Sequence, residues 1–144
     1  MKTFYFALLV IAALAMMAFA AQDETTTTIH VVERATTDAV ADTGEEGDIL
    51  TFANEVYDEN NETQVGTDNG YCFRTEAGAT WECAWTVTLD DGQITVQGPF
   101  YDAGGSMLAI TGGTGAYAGA RGQMTLGFRN DEGTEYDFTY EIIQ

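Results

Sequence analysis

An amide side chain stands among apolar residues on one predicted strand. Leu50, Phe52, Asn54 and Val56 alternate with other residues at a period of two, so all four share one face of that strand. An amide in such a place either satisfies a neighbouring strand or a buried water, or it anchors a ligand. Both interpretations of Asn54 are open from the residues alone.

Glu33 is the second polar residue whose position could support chemistry. It follows Ile29 and Val31 at a spacing of two, so it faces inward if they do. A carboxyl group inside an apolar barrel has a raised pKa and can exchange protons with a substrate. The alternative is a surface glutamate near a strand end, because glutamate is rarely buried.

The sequence contains two cysteines, Cys72 and Cys83. If the turn between them spans residues 76–79, Thr75 faces Thr80, and counting back sets the cysteines directly opposite each other. Opposed residues lie within disulfide reach, about 4.5 to 5.5 Å between Cα atoms. We therefore predict a disulfide, which would stabilise the fold by about 2 to 3 kcal/mol.

Several larger side chains share inward positions with these residues. Arg74 lies on the face of Cys72, where it would pair with a carboxylate, bind an acid group of a ligand, or sit at a rim. Packing is the ordinary role of buried aromatic residues, but some of them would line an apolar pocket. The ligand-binding candidates are Phe52, Arg74, Trp81, Trp85 and Phe100.

The elements that position these side chains are predicted to be strands, because period-two alternation broken by turn residues continues after residue 26. A hairpin turn at Asp91-Gly92 would set Trp85 opposite Gly98, and a loop at 131–133 would set Phe128 opposite Tyr136. The eight strands lie near 27–34, 49–57, 65–75, 80–90, 93–101, 106–111, 120–130 and 134–143. They suggest an eight-stranded antiparallel closed β-barrel, with a β-sandwich as the alternative.

The amino-acid composition limits the kinds of partner that the protein can bind. The formal charge is -18, which becomes -19 without Lys2, since 4 basic residues then face 23 acidic ones. Such a surface repels phosphate backbones and anionic membranes, so we expect no nucleic-acid partner. With His30 as the only histidine, we also expect no metal site.

The first residues have the pattern of a signal peptide. Lys2 precedes an apolar run over 4–19, and Ala18-Phe19-Ala20 provides a small-x-small cleavage site. We expect cleavage after residue 21, secretion, and no stable membrane association afterwards; an uncleaved anchor is the alternative. The remaining length fits one domain, with an acidic segment and the first strand at 22–47 and the rest of the barrel at 48–144.

Short motifs in a fixed order connect the chain to a known family. They run from Gly47 to Ile143 and include Val96-Gln97-Gly98-Pro99, Leu108-Ala109-Ile110-Thr111-Gly112-Gly113 with Gly115, and Gly119-Ala120 with Gly122-Gln123. Upstream, Phe52, Asn54 and Tyr57 are followed by Gly66, Gly70 and Cys72. This pattern resembles the plant allene oxide cyclases and the dirigent-like proteins.

The resemblance implies a cofactor-free cyclase or isomerase, or a stereocontrolling protein, for a small apolar unsaturated substrate. It places Phe52 and Asn54 in the cavity, where the amide holds a water, and it matches Glu33 to an assisting glutamate. A different alignment puts His30 at the glutamate's place, so which of the two faces the cavity stays open. The alternative function is a secreted barrel that binds a hydrophobic ligand without turnover, and by analogy we expect a homotrimer.

Overall fold

Alternating apolar and polar residues form strands along nearly the whole described chain. The computed structural model describes residues 24–36, 38–41 and 43–144, so the predicted signal peptide lies outside it. The strands are β1 Thr26–Arg34, β2 Asp38–Ala41, β3 Ile49–Asp58, β4 Gln64–Glu76, β5 Thr80–Leu89, β6 Gly92–Tyr101, β7 Ser106–Gly113, β8 Arg121–Phe128 and β9 Glu135–Ile143. A single 3₁₀ turn, Gly115–Tyr117, is the one helical element of the described residues, and none of them forms a helix able to cross a bilayer.

The strands close into a barrel. Neighbours in the sheet follow the order β1-β9-β8-β7-β6-β5-β4-β3, and β1 also pairs with β3 to complete the ring. All of these pairings are antiparallel. The predicted eight-stranded antiparallel barrel is therefore confirmed, and the β-sandwich is excluded.

The ninth strand, β2, was not predicted from the sequence. Strand β1 covers only the 55–58 end of β3, which leaves the 49–52 end of that strand without a partner on this side. The short β2 pairs with this uncovered edge. An uncovered strand edge can pair with another chain and cause aggregation. The four residues of β2 cover this edge and so protect the barrel seam.

The sequence predicted how the strands pair on either side of three turns, and the structure tests each of these registers. The β8–β9 register is confirmed, with Phe128 opposite Tyr136. The β5–β6 register is wrong by two residues, since Trp85 pairs with Val96 instead of Gly98. Gly92 lies in the strand, where a Cβ would stand 2.1 Å from the carbonyl oxygen of Thr114. The glycine therefore serves a close backbone approach, and the turn residues precede it.

The third register, between β4 and β5, sets Cys72 opposite Cys83 as predicted. One detail differs, because Glu76 pairs with Thr80 and the irregularity beside it leaves Thr75 out of the ladder. The local bulge does not disturb the cysteine pair.

The core fills the inside of the barrel. On β5, inward residues are buried at every second position, as a period of two requires. The buried apolar residues of this core come from every strand of the ring: Val31, Val56, Cys72, Trp81, Cys83, Trp85, Val87, Ile94, Val96, Leu108, Ile110, Ala120, Met124, Leu126, Phe138, Tyr140 and Ile142.

Candidate functional site

A pocket enters the barrel beside the aromatic part of the core. Its volume is about 60 Å³, and its lining is mainly apolar. Asn54, Trp85 and Phe138 all face this one interior space. The complete lining consists of Glu33, Ala35, Leu50, Phe52, Asn54, Cys72, Cys83, Trp85, Phe100, Leu126, Tyr136 and Phe138.

The polar wall of the pocket is formed by Glu33 and Asn54. Their side chains are only 6% and 3% exposed. The Nδ2 of Asn54 donates a hydrogen bond of 2.8 Å to Oε1 of Glu33. The backbone N–H of Thr36 donates to Oδ1 of Asn54 at 3.0 Å, so both ends of the amide are used. Asn54 therefore fixes the carboxyl group of Glu33 at the pocket surface.

A second carboxyl group, Asp68, lies behind this wall. It stands directly opposite Asn54 in the β3–β4 ladder and is fully buried. Its carboxyl group interacts with that of Glu33, and a hydrogen bond between the two requires that one of them be protonated. Burial raises the pKa of Asp68 to about 9, and charge repulsion from the nearby Glu33 carboxylate contributes. Near neutral pH, Asp68 is therefore the protonated member of the pair; the raised pKa expected for Glu33 itself stays a prediction.

Two further polar groups lie in the core beside this wall. The Nε1 of Trp85 and the hydroxyl of Tyr140 are buried, and they pair with each other. Burial, reinforced by the charge of Asp68, raises the pKa of Tyr140, which keeps its hydroxyl protonated as a hydrogen-bond donor. The indole ring of Trp85 lies 5.5 Å from the ring of Phe138, so it is both a donor and a part of the apolar wall.

Sequence reasoning missed Asp68 and Tyr140, although a signal for Asp68 was present. Asp68 precedes Cys72 by four residues on the same strand, so both side chains must lie on one face. Once Cys72 is placed inward, the spacing also places Asp68 inward. On β9, Tyr140 follows Phe138 by two residues, so these two side chains also share one face of their strand.

The predicted disulfide joins Cys72 and Cys83, with 4.0 Å between Cα atoms. Both cysteines are buried and belong to the pocket lining. A bonded cysteine offers no thiolate, so this pair shapes the wall and performs no thiol chemistry.

The structure divides the predicted ligand-binding residues into two groups. Phe52, Trp85 and Phe100 line the pocket. Arg74 and Trp81 do not, because both bind Asp102 instead, at 2.7 Å through Nη1 and 3.0 Å through Nε1 respectively.

His30 lies on the outer face of β1. It is 2.9 Å from the carboxylate of Asp137, and both side chains are partly exposed. Glu33, and not His30, therefore faces the cavity. Among the described residues, no group of three or more histidine, cysteine or carboxylate side chains is arranged to hold a metal ion.

Comparison with known families agrees with this architecture. The family model for allene oxide cyclase matches residues 14–128, which is most of the chain. The chain belongs to the allene oxide cyclase family. The closed barrel, the Phe52–Asn54 strand and the inward Glu33 are thus features of a member of that family.

Solved structures of several relatives share the fold. A pyocyanin demethylase is 28% identical, with a TM-score of 0.67 over 78% of this chain and 98% of its own. An exo-specific intermolecular Diels-Alderase is 14% identical, with a TM-score of 0.72 over 85% of this chain and 100% of its own. A pterocarpan synthase dirigent protein is 19% identical, with a TM-score of 0.68 over 85% of this chain and 96% of its own. At the two lower identities, the likeness shows the fold alone.

Proposed function

We propose that this protein is a secreted cyclase or isomerase that uses its own side chains to act on a small, apolar, unsaturated substrate in the barrel pocket. The observation that carries the proposal is the hydrogen bond of 2.8 Å between Asn54 and Glu33 at the pocket wall. A carboxyl group that is buried, oriented and open to an apolar pocket is suited to proton transfer.

The two carboxyl groups have different roles in this proposal. Glu33 touches the substrate, takes a proton from one carbon and returns it to another, so the net reaction is an isomerisation or a ring closure. Asp68 stays protonated behind it and keeps the pair from carrying two negative charges. Asn54 is a positioning residue, because it holds the Glu33 carboxyl group and does not accept the proton.

The apolar walls supply the remaining part of catalysis. A flexible unsaturated molecule loses conformational freedom when it is enclosed by aromatic side chains, which favours one ring-closing geometry. The pocket of about 60 Å³ is smaller than the roughly 300 to 1,000 Å³ of common ligand sites. Substrate entry therefore requires the half-buried lining residues, such as Phe100 and Tyr136, to move.

The named activities of the relatives support this kind of chemistry. They are a demethylase of pyocyanin, a Diels-Alderase and a pterocarpan synthase, and each name denotes a reaction of a small organic molecule. A barrel that only binds a ligand is the second candidate, since the apolar lining would serve it equally. The burial of Glu33 favours catalysis, because simple apolar binding gives no reason to bury a carboxyl group.

Turnover in heavy water tests the proposal. The purified protein is incubated with small conjugated ketones, unsaturated epoxides and dienes, and mass spectrometry follows isomerised, cyclised or deuterium-labelled products. We expect conversion by the wild type and by Glu76→Gln, an exposed control with the same charge change, but not by Glu33→Gln. Ligand retention with no conversion of any compound would instead support the binding barrel.

Secretion and assembly are tested separately. We expect the protein from the culture medium to begin at residue 22, and native mass spectrometry to give the mass of a homotrimer. A retained N-terminus would contradict cleavage, and a monomer mass would contradict the trimer. Neither result bears on catalysis.

A further inference from the structure

We propose that the pocket selects its substrates by charge, accepting planar cations and neutral molecules and rejecting carboxylate anions. This inference rests on the proposed function only in using the same pocket, and it concerns binding, not turnover. It follows from three properties of the site: its acidic wall, its missing counter-charge and its aromatic faces.

The polar wall of the pocket is acidic. The titratable groups that face one another there are Glu33, Asp68 and Tyr140, and Glu33 is the one at the pocket surface. Glu33 lines the pocket and Asp68 is buried behind it, so the wall is built of two carboxyl groups, and a cation beside Glu33 favours its ionised form. An anion placed beside the ionised group would meet its charge in a medium that screens poorly, which is strongly unfavourable.

No basic side chain of the described residues lines the pocket, and each arginine has a partner elsewhere. Arg34 binds Asn61 and lies over the ring of Tyr57. The other arginines pair with carboxylates: Arg74 with Asp102, Arg121 with Glu24, and Arg129 with Asp137. A substrate carboxylate would therefore be buried without a counter-ion, which costs far more than burying a neutral group.

The buried donors near the pocket do not replace a cation. The hydroxyl of Tyr140 is fully buried, does not line the pocket, and interacts electrostatically with Asp68. The Nε1 of Trp85 is also buried and pairs with Tyr140. Neither group therefore offers a positive charge to an anion in the pocket.

Aromatic rings form the rest of the pocket and favour flat cations. The Trp85 ring lies 5.5 Å from that of Phe138 and 6.1 Å from that of Phe52. Phe100 and Tyr136, whose rings are 6.1 Å apart, line the same space. Ring faces attract cations through their quadrupoles, most strongly where water is excluded. A planar cation therefore finds both stacking surfaces and the Glu33 charge.

The negative surface charge also attracts cations, but salt distinguishes this effect from binding inside the pocket. A net charge of -18 draws cations toward the protein from solution. That long-range attraction is screened at high salt, with a Debye length of about 3 Å at 1 M, while a contact inside the pocket is screened much less. Binding that persists at high salt therefore reports the pocket.

The test is equilibrium dialysis of three two-ring probes at high salt: the cation N-methylquinolinium, the neutral 2-naphthamide and the anion 2-naphthoate. We expect the cation to bind most tightly, the amide less tightly, and the naphthoate at least about tenfold more weakly than the amide, as an unpaired buried charge requires. The substitution Glu33→Gln should weaken binding of the cation about tenfold and change the affinity for the amide by no more than about twofold. The control Glu76→Gln should leave the affinities for all three probes unchanged.

Each outcome of the dialysis has a defined meaning. Naphthoate binding as tightly as either other probe would overturn charge selection, and so would the failure of all three probes to bind. The order of the probes on the wild-type protein is informative even if Glu33→Gln does not fold. Charge selection without any turnover would leave this inference standing while contradicting the catalytic proposal.

Discussion

Asn54 and Asp68 lie directly opposite each other in the pairing of β3 with β4, and both side chains are buried in the barrel. Asn54 connects this pair to Glu33 on β1 through its 2.8 Å hydrogen bond. Three polar residues from three neighbouring strands thus form one group at the wall of an apolar pocket. Such a group is costly to bury, and its cost can be measured.

The first prediction concerns the role of Glu33. Glu33→Gln keeps an acceptor for Asn54 but removes the proton-transfer group. We expect the rate on the best substrate from the turnover screen to fall by about 10² to 10⁴-fold, with an unchanged circular dichroism spectrum. Initial rates measure this effect, with Glu76→Gln as the control. A Glu33→Gln protein of normal activity would exclude Glu33 as a catalytic residue.

The second prediction is a pH dependence of stability that comes from Asp68. Its pKa rises from the ordinary aspartate value of 3.8, which applies to the unfolded chain, to about 9 in the folded protein. Between these values only the folded state holds the proton, so stability falls as pH rises. The slope from this group is at most about 1.4 kcal/mol per pH unit. Urea denaturation from pH 5 to about 9 gives the profile.

The variant Asp68→Asn isolates that dependence. It should flatten the profile and be more stable than the wild type at the alkaline end, because a neutral side chain replaces a carboxyl group that must lose its proton there. The control Asp131→Asn makes the same substitution at an exposed position and should keep the wild-type slope. Parallel profiles for the wild type and Asp68→Asn would show that Asp68 titrates normally.

The third prediction concerns the amide of Asn54. Asn54→Ala removes the partner of both Glu33 and the Thr36 N–H, so we expect a loss of about 1 to 3 kcal/mol in the free energy of unfolding. Asn69→Ala, on the outward face of β4, should change it by less than about 0.5 kcal/mol. Equal effects of the two substitutions in urea denaturation would refute the structural importance of the Asn54 contacts.

The fourth prediction tests the disulfide. Replacing both Cys72 and Cys83 by alanine should lower the free energy of unfolding by about 2 to 3 kcal/mol. Treating the wild type with a reductant should lower its denaturation midpoint similarly, and the double variant should not respond to the reductant. If the wild type is insensitive to reduction and titrates with two free thiols, the bond does not form in solution.

The alternation of residues predicted the strands and the inward position of most of the core, whereas the family resemblance favoured a barrel over a β-sandwich. The alternation also paired Cys72 with Cys83 and Phe128 with Tyr136, because short loops fix the register of antiparallel strands. The same rule failed at the β5–β6 hairpin, where Gly92 serves a contact with Thr114 from a distant part of the chain. Local turn statistics contain no information about such a contact.

The candidate site was predicted in part, for a similar reason. The spacing of two identified the faces of Asn54 and Glu33, but it could not show how far along the barrel each residue lies. Arg74 and Trp81 are inward by spacing, yet they bind Asp102 and do not line the pocket. Strand β2 is too short for its alternation to stand out, and it forms because the adjacent edge of β3 is otherwise uncovered.

The protonation state of Asp68 tests the account most directly. Infrared spectroscopy of the folded protein at neutral pH should show the carbonyl stretch of a protonated carboxyl group, shifted in heavy water and absent from Asp68→Asn. The band should disappear only near pH 9. A wild-type spectrum with no such band until the pH falls to about 4, the value for an ordinary carboxyl group, would contradict the buried carboxyl pair.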